Sequence, residues 1–159
     1  VWITGVGHCS ETYYLGDRMG NDPVADHADS YALNLSFKKA YAMAGVTNPR
    51  KEVDVAELYN PFSNTDYHAI EAAGFTGLGK SVPELKEGVY SLGGEVVVNP
   101  SGGVLCTNAI AVTGMVRVIE LATQLFGMAG ERQVKGAKRG IASANGGDHQ
   151  FFGTMVVEA

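Results

Sequence analysis

Cysteine is scarce in this chain of 159 residues: there are two, Cys9 and Cys106, and they form no CxxC pair. Neither a thiol redox motif nor a cysteine zinc site is spelled out, and nothing in the spacing supports a disulfide. Basic residues are also few. Twelve Lys and Arg against 17 Asp and Glu give a net charge of −5 with the signs interspersed, which leaves no basic stripe of the kind that binds nucleic acid. No apolar run approaches the length of a bilayer span, and Val1 opens straight into a strand-like pattern without a basic or Ser-rich leader. The chain reads as cytoplasmic, and the lack of an initiating Met marks it as a fragment, a processed chain or an excised domain. Gly5-Val6-Gly7 lacks the third glycine of a dinucleotide loop, and no helical pattern follows it. At 45% hydrophobic the sequence has enough apolar material for one core, so residues 1–159 read as a single domain.

The most informative stretch that is present runs from Asn99 to Gly114, NPSGGVLCTNAIAVTG. The preceding EVVV reads as a buried strand that Asn99 and Pro100 end, and Ser101-Gly102-Gly103 permits a turn that residues with a Cβ resist. Apolar residues at Ile110, Val112, Met115, Val118, Ile119, Ala122, Leu125 and Phe126 then repeat at helical spacing, with Thr107 or Asn108 placed as N-cap. The spacing predicts a long helix from Asn108 to Phe126. Arg117 and Glu120 are its only charges, so it should be apolar on more than one face. A glycine turn leading into a helix offers backbone N–H groups and a positive dipole end, which suit an oxyanion or enolate; the plainer reading is a tight strand-to-helix connection.

Elsewhere the pattern predicts a strand over Val1 to His8, whose glycines let another backbone come close, and a polar excursion over Asp17 to Asp29. A helix follows from Tyr31 to its stop at Gly45, then a buried strand over Val53 to Tyr59. Pro61 suits the first position of a helix over about Phe62 to Ala73, closed by Gly74. A short helix in SVPELKEGV and a strand over Gly93 to Val98 come next. Arg139 to Asn145 and Phe151 to Glu158 read as a hairpin across GGDHQ. The order is strand, helix, strand, helix, strand, helix, strand, strand. It implies an α/β fold with a mixed five-stranded sheet, three parallel strands plus a C-terminal antiparallel hairpin, and helices on both faces. Ligands in such sheets bind beyond the carboxyl ends of the parallel strands, where Tyr59-Asn60 and Asn99 to Gly103 both fall.

Asn-Pro-Ser-Gly-Gly followed by Thr113-Gly114, the run GERQVKGAKRG from Gly130 to Gly140, and Gly146-Gly147 before an apolar strand together resemble the C-terminal half of thiolases. The branch that includes the sterol carrier protein x thiolases is the most similar, over nearly the whole chain. The resemblance implies a layered thiolase-like half-domain, coenzyme A as substrate rather than a bound cofactor, and no metal. It also implies partners: an N-terminal half carrying the nucleophilic cysteine, a second copy of the complete fold, and in some relatives a small OB-fold protein with a zinc ribbon. The activity implied is making or cleaving a carbon–carbon bond next to an acyl-CoA thioester.

Three loops of the family can be followed residue by residue. The Asn-Glu-Ala-Phe or His-Asp-Cys-Phe loop falls on Tyr59-Asn60-Pro61-Phe62, where only the phenylalanine is kept. Tyr59 stands where a residue holds the catalytic water, and its hydroxyl can donate to a carbonyl or alkoxide; otherwise it is a core tyrosine at a strand end. The histidine of Gly-His-Pro falls on Asn108, which can donate into an oxyanion hole but cannot take a proton, and which doubles as a helix cap. Cys-x-Gly aligns with Ala144-Asn145-Gly146, so the acid/base cysteine is absent. His149, beside Asp148, is the leading substitute. Asn60, Gly102, Gly103, Gly146 and Gly147 complete the set as oxyanion or substrate-binding positions. His27 and His68 read as solvated bystanders, His8 as facing the ligand edge or packing under it, and Cys106 as a small buried hydrophobe. Two other readings stay open: a retro-aldol lyase on a β-hydroxyacyl-CoA with Tyr59 as acid/base, and a non-catalytic half kept for assembly or acyl-CoA binding.

Overall fold

The β-branched segments that open and close the chain pair with each other. In the computed structural model, which describes residues 1–19, 30–147 and 149–159, β1 (Trp2–Ser10) runs antiparallel to β5 (Phe151–Glu158). β5 returns antiparallel to β4 (Arg139–Gly146), which lies parallel to β2 (Val55–Glu57), itself parallel to β3 (Val97–Val98). The sheet order is β1-β5-β4-β2-β3. β1, β2, β3 and β4 therefore share one direction and β5 opposes them. The hairpin forms as the sequence implies, and it stands between β1 and the other parallel strands.

Alternation along the strands sends side chains to two cores. Ala56, Ile141, Phe152 and Val156 pack with Phe37, Ala40 and Tyr41 of α1 (Tyr31–Ala44) and with Ala69 and Ile70 of α3 (Thr65–Ala72). Val55, Ala142 and Val157 turn the other way, onto Leu121 of α6 (Thr113–Leu125). Helices thus cover both faces, with α2 (Pro49–Glu52), α4 (Ser81–Lys86) and α5 (Gly103–Cys106) as short connectors. α1 starts where the Ser30 hydroxyl accepts from the Leu33 amide, and it ends on Gly45 in the left-handed region.

Gly5-Val6-Gly7 has a packing role. A Cβ on Gly5 would lie 2.2 Å from the Ala40 carbonyl oxygen, and one on Gly7 would lie 1.8 Å from that of Ser36. The backbone of α1 rests directly on β1, as the sequence reading of these glycines anticipates.

Several boundaries differ from the sequence expectation, each for a local reason. The long helix from Asn108 is broken: Ala111 is left-handed at φ 67, α5 forms a separate turn, and α6 starts at Thr113. The helix expected after Pro61 starts later, because the Thr65 hydroxyl first closes a turn onto the Phe62 carbonyl oxygen at 2.6 Å. β3 is two residues long, since the Glu95 amide bonds back to the Val89 carbonyl rather than to β2. β2 ends at Glu57 because side chains capture the next amides: Leu58 N–H donates to Asn99 Oδ1 and Tyr59 N–H to Ser143 Oγ. Cys106 is exposed rather than buried, because α5 points Val104 inward and Leu105 and Cys106 outward. Most of the Asp17 to Asp29 excursion, with His27, lies outside the described residues, as does Asp148.

α6 is inverted relative to an ordinary surface helix. Arg117, Glu120 and Gln124 are buried beside Leu121, while Met115, Ile119 and the following Phe126 are exposed. The second apolar face expected from the sequence is present, and this chain leaves it bare.

The α1–β1 contact is testable. In the complete protein, Gly7→Ala should lower stability by about 1–3 kcal/mol through overpacking against backbone that cannot move aside. Urea unfolding reads this directly, and an unchanged midpoint would contradict the close approach.

Candidate active site

The site is framed by polar residues at the carboxyl ends of β2 and β3. Glu57, the last residue of β2, accepts from Arg117 Nη1 at 2.7 Å, from the Ser101 hydroxyl at 2.7 Å and from the Ser101 amide at 3.2 Å. Both charged side chains are buried, 0% exposed for Glu57 and 2% for Arg117. Burial pushes the Glu57 carboxyl above its usual range, against the hydrogen bond from Ser101 and the charge of Arg117. Asn99, at φ 51, accepts from the Leu58 amide and donates through Nδ2 to Asp66 Oδ1 at 2.8 Å. Asn60 donates to the other Asp66 oxygen at 3.2 Å and accepts the Val104 amide at 2.6 Å. Burial pushes Asp66 upward as well, opposed by its two asparagine donors.

These contacts assign Asn60, Gly102 and Gly103 to the frame. The amides of residues 101 to 104 donate in turn to Glu57, the Asn99 carbonyl, the Ser101 hydroxyl and Asn60 Oδ1. The turn that suggested an anion cradle therefore spends its N–H groups internally. Gly103, at φ 65, has no room for a Cβ, which would stand 2.2 Å from Asn60 Oδ1.

Beyond this frame the three loops converge. One cleft of about 350 Å³ is lined by Tyr59, Pro61, Phe62, Asn108, Asn145, Gly147 and His149. An adjoining one of about 410 Å³ shares Tyr59, Asn108 and Asn145 and extends along Ile110 to Met115 and Ala144. Tyr59, Asn108, Gly147 and His149, chosen from separate stretches of sequence, are thus brought together. Asn60, Gly102 and Gly103 lie outside the lining, and Gly146 pairs with Phe151 at the mouth of the hairpin. Asn108 Oδ1 accepts from the Ile110 amide at 3.3 Å and from the Thr113 hydroxyl at 3.0 Å, so it braces the entry to α6 rather than capping it from the N-cap position. His149 sits at φ 51, its carbonyl accepts from the buried Arg18 at 2.6 Å, and its ring meets the Phe152 ring edge-on at 6.2 Å. Asn145 was not singled out in the sequence; the available signal was its central place in Ala144-Asn145-Gly146. Among the described residues no group of three His, Cys, Asp or Glu side chains is arranged to hold a metal ion, and no helix is long and apolar enough to cross a membrane.

Comparison with known proteins bears on this geometry. The family model described as thiolase C-terminal domain-like matches residues 22–159. The chain belongs to that family. It is 31% identical over 148 residues to an acetyl-CoA acetyltransferase of Methanothermobacter thermautotrophicus, covering 92% of this chain and 37% of that protein. It is 37% identical over 102 residues to human sterol carrier protein 2, covering 64% of this chain and 18% of that protein. Among solved structures, an Ltp2-ChsH2(DUF35) aldolase superposes with a TM-score of 0.80 at 20% identity, over 98% of this chain and 39% of that one. A monomeric SCP2-thiolase like protein type 1 from Mycobacterium smegmatis gives 0.62 at 16% identity, over 98% of this chain and 28% of that one. These two likenesses show the thiolase-like fold. The chain spans well under half the length of the relatives it matches. The resemblance read from NPSGG, Thr113-Gly114 and GERQVKGAKRG is thereby shown.

The buried pair offers a test of the frame. Glu57→Gln leaves the Arg117 charge buried and uncompensated and should cost about 3–5 kcal/mol, whereas Glu57→Leu combined with Arg117→Met should recover most of that loss. Chemical denaturation of the complete protein distinguishes the two; equal losses would mean that the ion pair does not carry the frame.

Proposed function

We propose that this chain is the C-terminal half of a thiolase-fold enzyme that makes or breaks a carbon–carbon bond next to an acyl-CoA thioester. The observation that carries the reading is the meeting of Tyr59, Asn108 and His149, from three separate loops, at one cleft beyond the carboxyl ends of the parallel strands. Coenzyme A is a substrate in this reading. An N-terminal half supplies the cysteine that becomes acylated. In the cleavage direction its thiolate attacks the ketone carbon of a 3-oxoacyl thioester, and the Cα–Cβ bond breaks with its electron pair passing into the enolate of the departing acetyl-CoA. His149 gives that enolate a proton, then takes one back from the CoA thiol that releases the acyl group from sulfur. An imidazole suits both transfers near neutral pH. Asn108 donates to the oxygen that gains charge.

A specific observation favours a second reading, the retro-aldol lyase: Tyr59 lines both clefts, and Ala144 stands at the family's acid/base cysteine position. The neighbour with a TM-score of 0.80 is an aldolase named for two components. Here the β-hydroxyl proton goes to Tyr59 acting as base, the Cα–Cβ bond breaks to leave a carbonyl product and a thioester enolate, and the enolate is protonated from the same group. A non-catalytic half kept for assembly or acyl-CoA binding would show no turnover.

The partners belong to the same proposal. The bare face of α6, with Met115, Ile119 and Phe126, is where the N-terminal half would lie, whether on the same polypeptide or another. A second copy of the complete fold and a small OB-fold protein with a zinc ribbon rest on the family resemblance.

Two variants in the complete assembly separate the readings. If thiolysis is right, His149→Ala should lower turnover by about 10²- to 10⁴-fold with little change in CoA affinity, while Tyr59→Phe is the damaging change under retro-aldol cleavage. Thiolysis and aldol cleavage are assayed separately. Normal rates in both variants would remove these two residues from the mechanism.

A further inference from the structure

We propose that Asn145 is a second oxyanion donor, and that the carboxamides of Asn108 and Asn145 together hold the thioester oxygen as it becomes an enolate oxygen. The proposal rests on the acyl-thioester reading above and names the groups that would stabilise its charge, whichever of the two cleavages occurs.

The orientation of both amides follows from their contacts. Asn108 Oδ1 is occupied by the Ile110 amide and the Thr113 hydroxyl, both donors, so its own NH₂ group is turned away from them on an exposed residue of the cleft. Asn145 Oδ1 is shut off from solvent and accepts no hydrogen bond. The Asn145 NH₂ group makes no hydrogen bond among the described residues and is not shut off, and the residue lines both clefts. Reversing the amide would hide two N–H donors against a wall where the oxygen already lacks a partner. Leaving one acceptor unpaired is the cheaper arrangement, since the reverse would leave two buried N–H donors unpaired.

Rigid elements bring the two amides to one place. Asn145 sits on β4, opposite Phe152 of β5. Asn108 is braced by Thr113, the first residue of α6, and α6 touches β4 closely there: a Cβ on Gly114 would lie 2.8 Å from the Ala144 Cβ. Thr113-Gly114, part of the family signature, thus sets the separation between the two carboxamides. Both donors are neutral at every working pH, so neither can lose a proton to the enolate it stabilises. This leaves Tyr59 and His149 as the proton-transfer groups. Donors held before substrate arrives, one on a strand and one in a loop braced by the first residue of α6, lower the barrier because they need not reorient as charge develops.

The test uses the complete assembly of this chain with its N-terminal half. Asn145→Asp keeps the shape and replaces the NH₂ donor with an acceptor, and Asn145→Ala removes the group. Each should lower kcat by about 10²- to 10³-fold, the usual worth of an oxyanion-hole donor, with KM little changed. The binding probe is a dethia analogue of acetyl-CoA that ends in a carboxylate, a mimic of the thioester enolate. Its affinity should fall in both variants while that of free CoA does not, and thermal unfolding confirms that the variants remain folded. Should the Asp variant fail to fold, the Ala variant still decides. Unchanged kcat and unchanged analogue binding in folded Asn145→Ala, with the unaltered assembly active, would overturn the role of Asn145 alone. An unaltered assembly that neither turns over acyl-CoA esters nor binds the analogue would overturn the proposed function as well.

Discussion

One buried carboxylate fixes the geometry of the ligand edge. Glu57 ends β2, and its oxygens tie together Arg117 of α6 and Ser101 of the turn after β3. Taking two charges out of water costs several kcal/mol per ion, and only close, multiple hydrogen bonds offset it. That makes the arrangement intolerant of displacement, because shifting strand, turn or helix would leave a charge unpaired in the interior. The same polar face of α6 continues to Glu120 and Gln124. Arg132 reaches Glu120 with two bonds of 3.0 and 2.9 Å, and Gln124 exchanges hydrogen bonds with the backbone at Arg132 and Val134. The run GERQVKGAKRG is therefore a clamp along α6 that delivers the chain into β4. Ser101 of the NPSGG segment and Arg132 of the GERQVKGAKRG run thus grip the same helix.

This explains why α6 is inside-out. A helix whose buried face is already filled by Arg117, Glu120 and Gln124 has its apolar residues left for the opposite side. Met115 and Ile119 make no sense for an isolated domain, where an apolar stripe on a surface helix faces its own core. They do make sense in a chain that spans only part of the length of its relatives.

Most of the fold was legible because it rests on local rules. Gly45 stops α1, glycines in β1 admit a close backbone, and the two strand-like segments on either side of GGDHQ make a hairpin. What was not legible depends on contacts distant in sequence. The break at Ala111 carries no glycine or proline to announce it; the bracing of Asn108 by Thr113 shapes the loop instead. The site divides in the same way. Strand pattern alone brings Tyr59-Asn60 and Asn99 to Gly103 to one edge, whereas Asn108 and His149 join Tyr59 only through the three loops of the family resemblance. The internal use of the amides around Gly102 and Gly103 was invisible, since it needs Glu57 and Asn60, more than forty residues earlier, to be in place.

The electrostatics of the clefts follow from this division. Among the described residues no Asp, Glu, Lys or Arg lines either cleft, although Glu57, Arg117 and Asp66 sit in the frame beneath. The fixed charges are neutralised or held by partners in that layer, and the walls above carry hydroxyl, carboxamide and imidazole groups. Under the proposed function, a charge that develops on a bound thioester would meet no fixed ion of comparable strength in this lining. It is stabilised by whichever neutral dipoles already point at it, and weak dipoles gain most where water is excluded. Under the proposed function, the covering that excludes water from the clefts would be a partner half seated on the face that α6 leaves bare. In that reading, assembly and catalysis are one requirement: the face that would bind the other half is the face whose burial would make neutral donors effective.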